Sequence, residues 1–384
     1  MDSSVSFESK LPEIKTTIFT IMSSLAVENN AINLSQGFPD FSSDPLLTAL
    51  VSKAMKTGYN QYAPMPGLYD LRKAISHKIE RMHAVSYDPE TEITVTVGAT
   101  EAIFTAIATF ISPGDEVVIL KPAYDCYEPA IKLQGGIPVL FQLAAPDYLV
   151  KWDELAKIIT PRTKMLIINT PHNPTATVLR QEDMLQLENI LKGTDILMIS
   201  DEVYEHIIFN GEEHQSACRF PGLAERTFIC ASFGKTFHNT GWKTGYCAAP
   251  AVLMNEFRKT HQFNVFCTHH PTQKALAEYL QNEKTYISLP EFYQKKRDLF
   301  CELITPSRFK ILPCYGTYFQ LLDYSDISNE KAVDFAIRLV REFKIASIPV
   351  SVFNKNEEED FLLRFCFAKQ DDTLKKAAKI LNSV

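Results

Sequence analysis

The chain has 384 residues, 46% of them hydrophobic and 22% charged, with a net charge of −7. That length fits one large domain and a smaller one. The charge leaves no basic footprint for nucleic acid or an anionic membrane, and no stretch approaches the roughly 20 apolar residues that span a bilayer.

The first forty residues read as loop-rich, with a turn at Ser35-Gln36-Gly37-Phe38-Pro39-Asp40. They are expected to pack on the small domain and border the site. Met1-Asp2-Ser3-Ser4-Val5 has neither the basic nor the apolar part of an export leader, so a cytoplasmic location is expected. From about residue 90, short apolar runs alternate with helical patterns, the signature of a parallel sheet covered by helices. Residues 93–97 read as a strand stopped by Gly98, with a helix over 101–110, a turn at Pro113-Gly114-Asp115 and a strand over 116–120. More strands are expected at 137–143, 165–169, 196–200, 228–231 and 246–249. A long helix over 289–303 leads into a second unit. There the segment 316–322, a helix around 330–343 and a strand over 361–367 suggest a small α+β domain. The expected fold is therefore α/β. A large domain (45–288) has a mostly parallel sheet covered by helices on both faces. It is joined by a smaller α+β domain (289–384) and an N-terminal segment (1–44).

Eight cysteines are scattered without any C-x-x-C pair, and several lie in apolar runs, so they read as reduced and buried. His269-His270 lacks a following carboxylate cluster, and adjacent residues point in different directions, so no metal site is expected.

The most informative stretch is Ser232-Phe233-Gly234-Lys235-Thr236, with Gly241-Trp242-Lys243 shortly after it. It follows the apolar run 227–231. A lysine at the end of a buried strand loses solvation and can form a Schiff base, while a nearby hydroxyl and a second cation suit a phosphate. Gly234-Lys235-Thr236 mimics the end of a P-loop, but Ile229 stands where that loop needs glycine. Ser232-x-x-Lys235 and Lys243-Thr244-Gly245 mimic serine acyl-enzymes, yet in those the two motifs lie far apart. Asn169, Asn173, Asp201, Ser232 and Lys235 all fall just past predicted strand ends. Open α/β sheets bind ligands along that edge.

At this point the sequence resembles the class I aminotransferases, fold-type I enzymes dependent on pyridoxal 5′-phosphate (PLP). The resemblance runs from about residue 33 to 369. It rests on the Ser35–Asp40 turn, Tyr59-Asn60-Gln61-Tyr62, Gly98-Ala99-Thr100-Glu101-Ala102 and Asn169-Thr170-Pro171-His172-Asn173-Pro174. It continues through Ser200-Asp201-Glu202-Val203-Tyr204, Ser232 to Lys235, Gly241-Trp242-Lys243 and Arg364-Phe365-Cys366-Phe367. The wording is most similar to the methionine and kynurenine aminotransferase branch.

The resemblance implies roles for these residues. Lys235 would carry the cofactor as a Schiff base and later shuttle the substrate proton. Asp201 would pair with the ring nitrogen, although an Asp there also suits a helix N-cap. Asn173 and Tyr204 would donate to the ring's phenolic oxygen. Tyr124 would stack on the ring, its alternative being an ordinary core aromatic. Ala99 and Thr100 would offer backbone N–H groups to the phosphate, joined by Ser232 and Lys243. Tyr62 would reach that phosphate from the neighbouring subunit, making the enzyme a homodimer. Arg364 would clamp the substrate carboxylate with two parallel hydrogen bonds, aided by Gly37 and Asn173.

Two departures stand out. Lys243 replaces a frequent arginine and loses the bidentate fork. Ala176 replaces a glycine in Asn-Pro-x-Gly, so the turn there is expected to differ. The implied reaction is a ping-pong transamination from methionine, with aromatic amino acids accepted and Ile18, Phe19 and Tyr315 as apolar walls. Alternatives are a kynurenine- or glutamine-type aminotransferase and a carbon–sulfur β-lyase. A transcriptional regulator would need a DNA-binding module before Ser35, for which the roughly thirty non-basic residues there do not suffice.

Overall fold

The computed structural model describes residues 8–384. The reading of residues 1–5 lies outside them. Seven strands form the central sheet. In spatial order they are Ile93–Thr96, Gly245–Ala248, Thr227–Ser232, Leu197–Asp201, Thr163–Asn169, Glu116–Lys121 and Ile137–Gln142. The last five are mutually parallel, and Gly245–Ala248 runs antiparallel to both its neighbours. Each expected strand is present to within about two residues.

Successive side chains of a strand point to opposite faces, and this chain uses both. Ile119 and Ile167 pack on one side with Ile103, Ile107 and Phe257. Their neighbours Val118, Leu166 and Ile168 pack on the other with Met184, Leu187 and Leu191. A sheet covered on both faces needs near-continuous apolar strands, which is why these runs were legible.

In the second unit, helix Leu289–Ile304 leads to a four-stranded antiparallel sheet. Its order is Ile348–Pro349, Leu362–Cys366, Phe319–Asp323, Lys310–Ile311. The helix expected around 330–343 is α over Ala332–Arg338 and continues as a π turn over Leu339–Phe343.

The N-terminal region is less loop-rich than expected, because Ile18–Glu28 is a helix. Thr17 caps it, its hydroxyl accepting from Thr20 N, and Met22 and Ala26 are its buried stripe. The 3.6-residue period was masked by apolar residues that face outward, Ile21 and Val27. After it, Ile32–Asn33 pairs in parallel with Ile345–Ala346, and Cys366 N donates to the Leu34 carbonyl at 2.8 Å. All eight cysteines are free, and no helix among the described residues is long and apolar enough to cross a membrane.

Candidate active site

The carboxyl ends of the parallel strands deliver Asn169, Asp201 and Ser232 to one side of the sheet, and a cavity opens there. Ala99, Thr100, Tyr124, Asn169, Asn173, Asp201, Tyr204, Ser232, Lys235 and Lys243 all line it. Nine of these ten are residues to which the sequence assigned a role. Gly37 and Arg364 join through hydrogen bonds to Lys235 and Asn173.

Lys235 sits in the single helical turn Phe233–Thr236 that follows Ser232. Its Nζ donates to the Gly37 carbonyl and to the Tyr318 hydroxyl, both at 3.0 Å, and lies 5.7 Å from the centre of the Tyr204 ring. Loss of water around the amine pushes its pKa down to about 8. An amine tuned this far towards neutrality is a usable nucleophile and base near physiological pH.

Asp201 is buried, and that burial raises its carboxyl to about 6. Tyr127 Oη donates to Oδ2 at 2.6 Å, and Val203 N donates to Oδ1 at 3.3 Å. The second bond is a local cap, yet no helix follows. Asn169 braces the same corner: its Nδ2 donates to the Asp201 carbonyl at 2.8 Å and its Oδ1 accepts from Asn173 N at 2.8 Å. The carboxylate thus faces a cavity that contains Lys235 but bonds no cation directly. A cationic ligand atom would satisfy it.

Groups suited to an anion line the same cavity. Helix Gly98–Phe110 begins at the cavity, with Gly98 at φ +71°. Its first amides lack partners within the helix and carry the positive dipole end. Lys243, itself left-handed at φ 51°, brings Nζ to 3.6 Å from where a Gly98 Cβ would stand. Gly245 permits the approach, since a Cβ there would fall 2.4 Å from the Ala231 carbonyl and 3.0 Å from Gly98.

Arg364 is 1% exposed. Its Nη1 donates to Asn173 Oδ1 at 2.5 Å and its Nη2 to the Ser35 carbonyl at 3.3 Å, while Nε has no partner among the described residues. The guanidinium lies 3.8 Å from the centre of the Phe319 ring, with Phe19 and Phe353 flanking it. Burial lowers its pKa, partly offset by attraction from tyrosine, cysteine and Asp125 groups nearby. Both its hydrogen-bond acceptors are neutral, so the buried cation is poised for a carboxylate.

Tyr62, Tyr315 and Ala176 are not among the residues that line this cavity. Tyr62 is 81% exposed and rests edge-on against Phe266, away from the Lys235 cavity. Tyr315 lines a neighbouring cleft with Tyr148, His172 and Arg180, which shares Asn169 with the Lys235 cavity. Ala176 takes the left-handed conformation, φ +61°, that glycine adopts most readily. Its N–H donates to the His172 carbonyl, and its own carbonyl accepts from Tyr315 and Gly316, which holds it there. Phe19 faces Arg364 as a wall should, and Ile18 packs against the core. His269 and His270 use their Nδ1 atoms on Thr272 and the Gln61 carbonyl.

Two tyrosines escaped sequence reasoning. Tyr127 lies three residues past Tyr124, and Tyr318 sits in an apolar run. Neither spacing reveals that a hydroxyl would meet Asp201 or Lys235.

Comparison with known proteins agrees along nearly the whole chain. The family model for "Aminotransferase class I and II" matches residues 29–381. The Escherichia coli protein named methionine aminotransferase is 47% identical over 378 residues, 98% of this chain and 98% of its own. The solved structure of Escherichia coli YbdL, described as having a methionine aminotransferase function, matches with a TM-score of 0.97 at 47% identity. It covers 99% of this chain and 100% of its own. The kynurenine–oxoglutarate transaminase of Dictyostelium discoideum is 34% identical over 94% of this chain and 92% of its own.

Proposed function

Because the chain belongs to the class I and II aminotransferases, we propose that it moves the amino group of methionine, and of aromatic amino acids, to a 2-oxo acid, using PLP held beside Lys235. The donor preference rests on the 47% identity to a protein named for methionine. The observation that carries the cofactor reading is the joint placement of Lys235, Asp201, Ser232 and Lys243 around one cavity.

The residues present fit the group. Asp201, buried without a cation bonded to it, would take the ring nitrogen, and Tyr204 and Asn173 would face its phenolic oxygen. Tyr124 would cover one ring face. Ala99, Thr100, Ser232 and Lys243 would bind the phosphate. When bound, PLP supplies an aldehyde for imine formation and an electron-withdrawing ring.

The chain's own groups do the rest. Arg364 binds the α-carboxylate of the incoming amino acid, with Asn173 Oδ1 fixing the guanidinium plane. Three aromatic rings around that clamp exclude water and strengthen its charge interaction. Lys235 Nζ, once free, takes the proton from the donor's Cα. The donor leaves as a 2-oxo acid, and a second 2-oxo acid, clamped by the same arginine, receives the amino group in a ping-pong cycle.

The working form in this reading is a cytoplasmic homodimer in which Tyr62 reaches the partner's phosphate site. Its exposure on the single chain supports that placement. The division at residues 44 and 288 belongs to the same proposal.

The test is direct. Purified protein should be yellow, borohydride should fix the cofactor to Lys235 on peptide mapping, and a donor panel should release 2-oxo acids only when an acceptor is added. A colourless protein whose activity survives Lys235→Ala would sink the proposal. Ammonia release without an acceptor would turn it into a lyase.

A further inference from the structure

We infer that Tyr318 and the Gly37 carbonyl form a rest for the free amine of Lys235, which turns its lone pair towards the substrate and makes Tyr318 a positioning residue for proton transfer. This rests on the aminotransferase reading above and adds to it a group that the sequence did not single out.

Lys235 Nζ donates to Gly37 O and to Tyr318 Oη, each at 3.0 Å. The Tyr318 hydroxyl donates its own proton to the same Gly37 carbonyl. Three groups therefore close a small ring, and the direction of each bond is fixed by chemistry. A carbonyl only accepts. With its proton committed to that carbonyl, the phenol oxygen can only accept from the amine. A neutral amine has two N–H groups and one lone pair. Both N–H groups are occupied, and neither partner can donate back. The lone pair is the one feature of Nζ left free, and it must point away from the rest.

The rest is rigid. Tyr318 is fully buried, its ring edge-on to Tyr204 at 5.2 Å and to Phe319 at 5.0 Å, and tilted against Tyr293 at 5.8 Å. Position 37 must be glycine for the carbonyl to come this close, because a Cβ there would stand 2.8 Å from Phe319 Cζ. Burial also favours the neutral amine.

In the transfer itself the substrate Cα–H bond breaks, an N–H bond forms at Nζ, and the electron pair of the broken bond stays on the substrate side. The new ammonium keeps its two anchored N–H groups and carries the transferred proton on the third. The ammonium later gives up that third proton along the same direction to an acceptor other than the donor's Cα, so the rest serves uptake and release without moving.

Tyr318→Phe keeps the ring and deletes the acceptor. Misaligned reacting groups cost up to about 100-fold, so kcat should fall roughly 10- to 100-fold. KM should stay within about threefold, because Arg364, which binds the substrate carboxylate, makes no hydrogen bond to Tyr318. The primary isotope effect with Cα-deuterated methionine should rise as proton transfer becomes slower than the other steps. In the cofactor-free protein, the midpoint of the pH profile for Lys235 acylation, followed by mass spectrometry, should move down, since the ammonium loses an acceptor. Incorporating 3-fluorotyrosine at 318 provides a milder second variant that preserves packing and weakens the acceptor, and it should change the isotope effect in the same direction. An unchanged kcat and isotope effect in both variants would overturn the inference and leave the aminotransferase reading standing. Failure of borohydride to mark Lys235 in the unsubstituted protein would instead strike that reading.

Discussion

Arg364→Met separates binding from folding at one residue. In the free protein the guanidinium is 1% exposed, has neutral acceptors at 2.5 and 3.3 Å, and leaves Nε without a partner. Removing an incompletely paired buried cation is often neutral or stabilising. The unfolding free energy should therefore change by less than about 1 kcal/mol, or rise, once the lost stacking on Phe319 is weighed against desolvation. Catalysis should suffer, because breaking a buried, hydrogen-bonded charge pair costs about 2–5 kcal/mol. A middle value of about 3.5 kcal/mol corresponds to a loss of roughly 400-fold in kcat/KM, most of it through weaker binding of amino and oxo acids. Arg364→Lys keeps the charge but not the fork, so its loss should be intermediate. The assay is steady-state transamination over a range of both substrates, with denaturant unfolding of each variant alongside. A fall in kcat/KM of less than about tenfold would refute the clamp. A loss of stability above about 3 kcal/mol with a matching loss of activity would recast Arg364 as structural.

Cofactor affinity should fall as pH drops through about 6, because Asp201 must be ionised to hold a cationic ring nitrogen and its burial places its pKa there; fluorescence titration of the apoprotein checks this, and Asp201→Asn should abolish the dependence. Stability should decline as pH falls below about 6.5. His83, His172 and His206 are held down by burial to about 4, 4 and 3, so between those values and 6.5 the unfolded chain binds more protons. Each contributes up to about 1.4 kcal/mol per pH unit in that window, with Asp201 and Asp360 near 6 opposing part of it; denaturant midpoints between pH 7 and 4 measure the net slope, and a flat profile would refute the burial argument. Gly245→Ala would set a methyl against the Ala231 carbonyl and Gly98, so it should cost about 1–3 kcal/mol and weaken PLP retention together, as read by thermal unfolding and absorbance.

Much of this molecule was legible in one dimension because its sheet is covered on both sides. Such strands must be apolar throughout, and polar residues just past their ends are conspicuous for that reason. Asn169, Asp201 and Ser232 each end a strand, so one topological rule was enough to bring them together. Tertiary structure decided what local pattern could not carry. The helix over Ile18–Glu28 exposes apolar side chains, so its period was blurred until packing chose Met22 and Ala26 as the inner stripe. Ala176 takes a conformation its side chain disfavours because hydrogen bonds to residues far along the chain hold it there. Tyr315 lines a cleft beside the Lys235 cavity, its segment held by the bond from its N–H to the Ala176 carbonyl. Tyr318 meets Lys235 across 83 residues, and Gly37 meets it across 198. A motif registers residue types at fixed spacing, whereas a hydrogen bond between distant segments exists only once packing has brought them within 3 Å. The lysine and the arginine were therefore readable as letters, but the Tyr318 hydroxyl that aims the lysine was not.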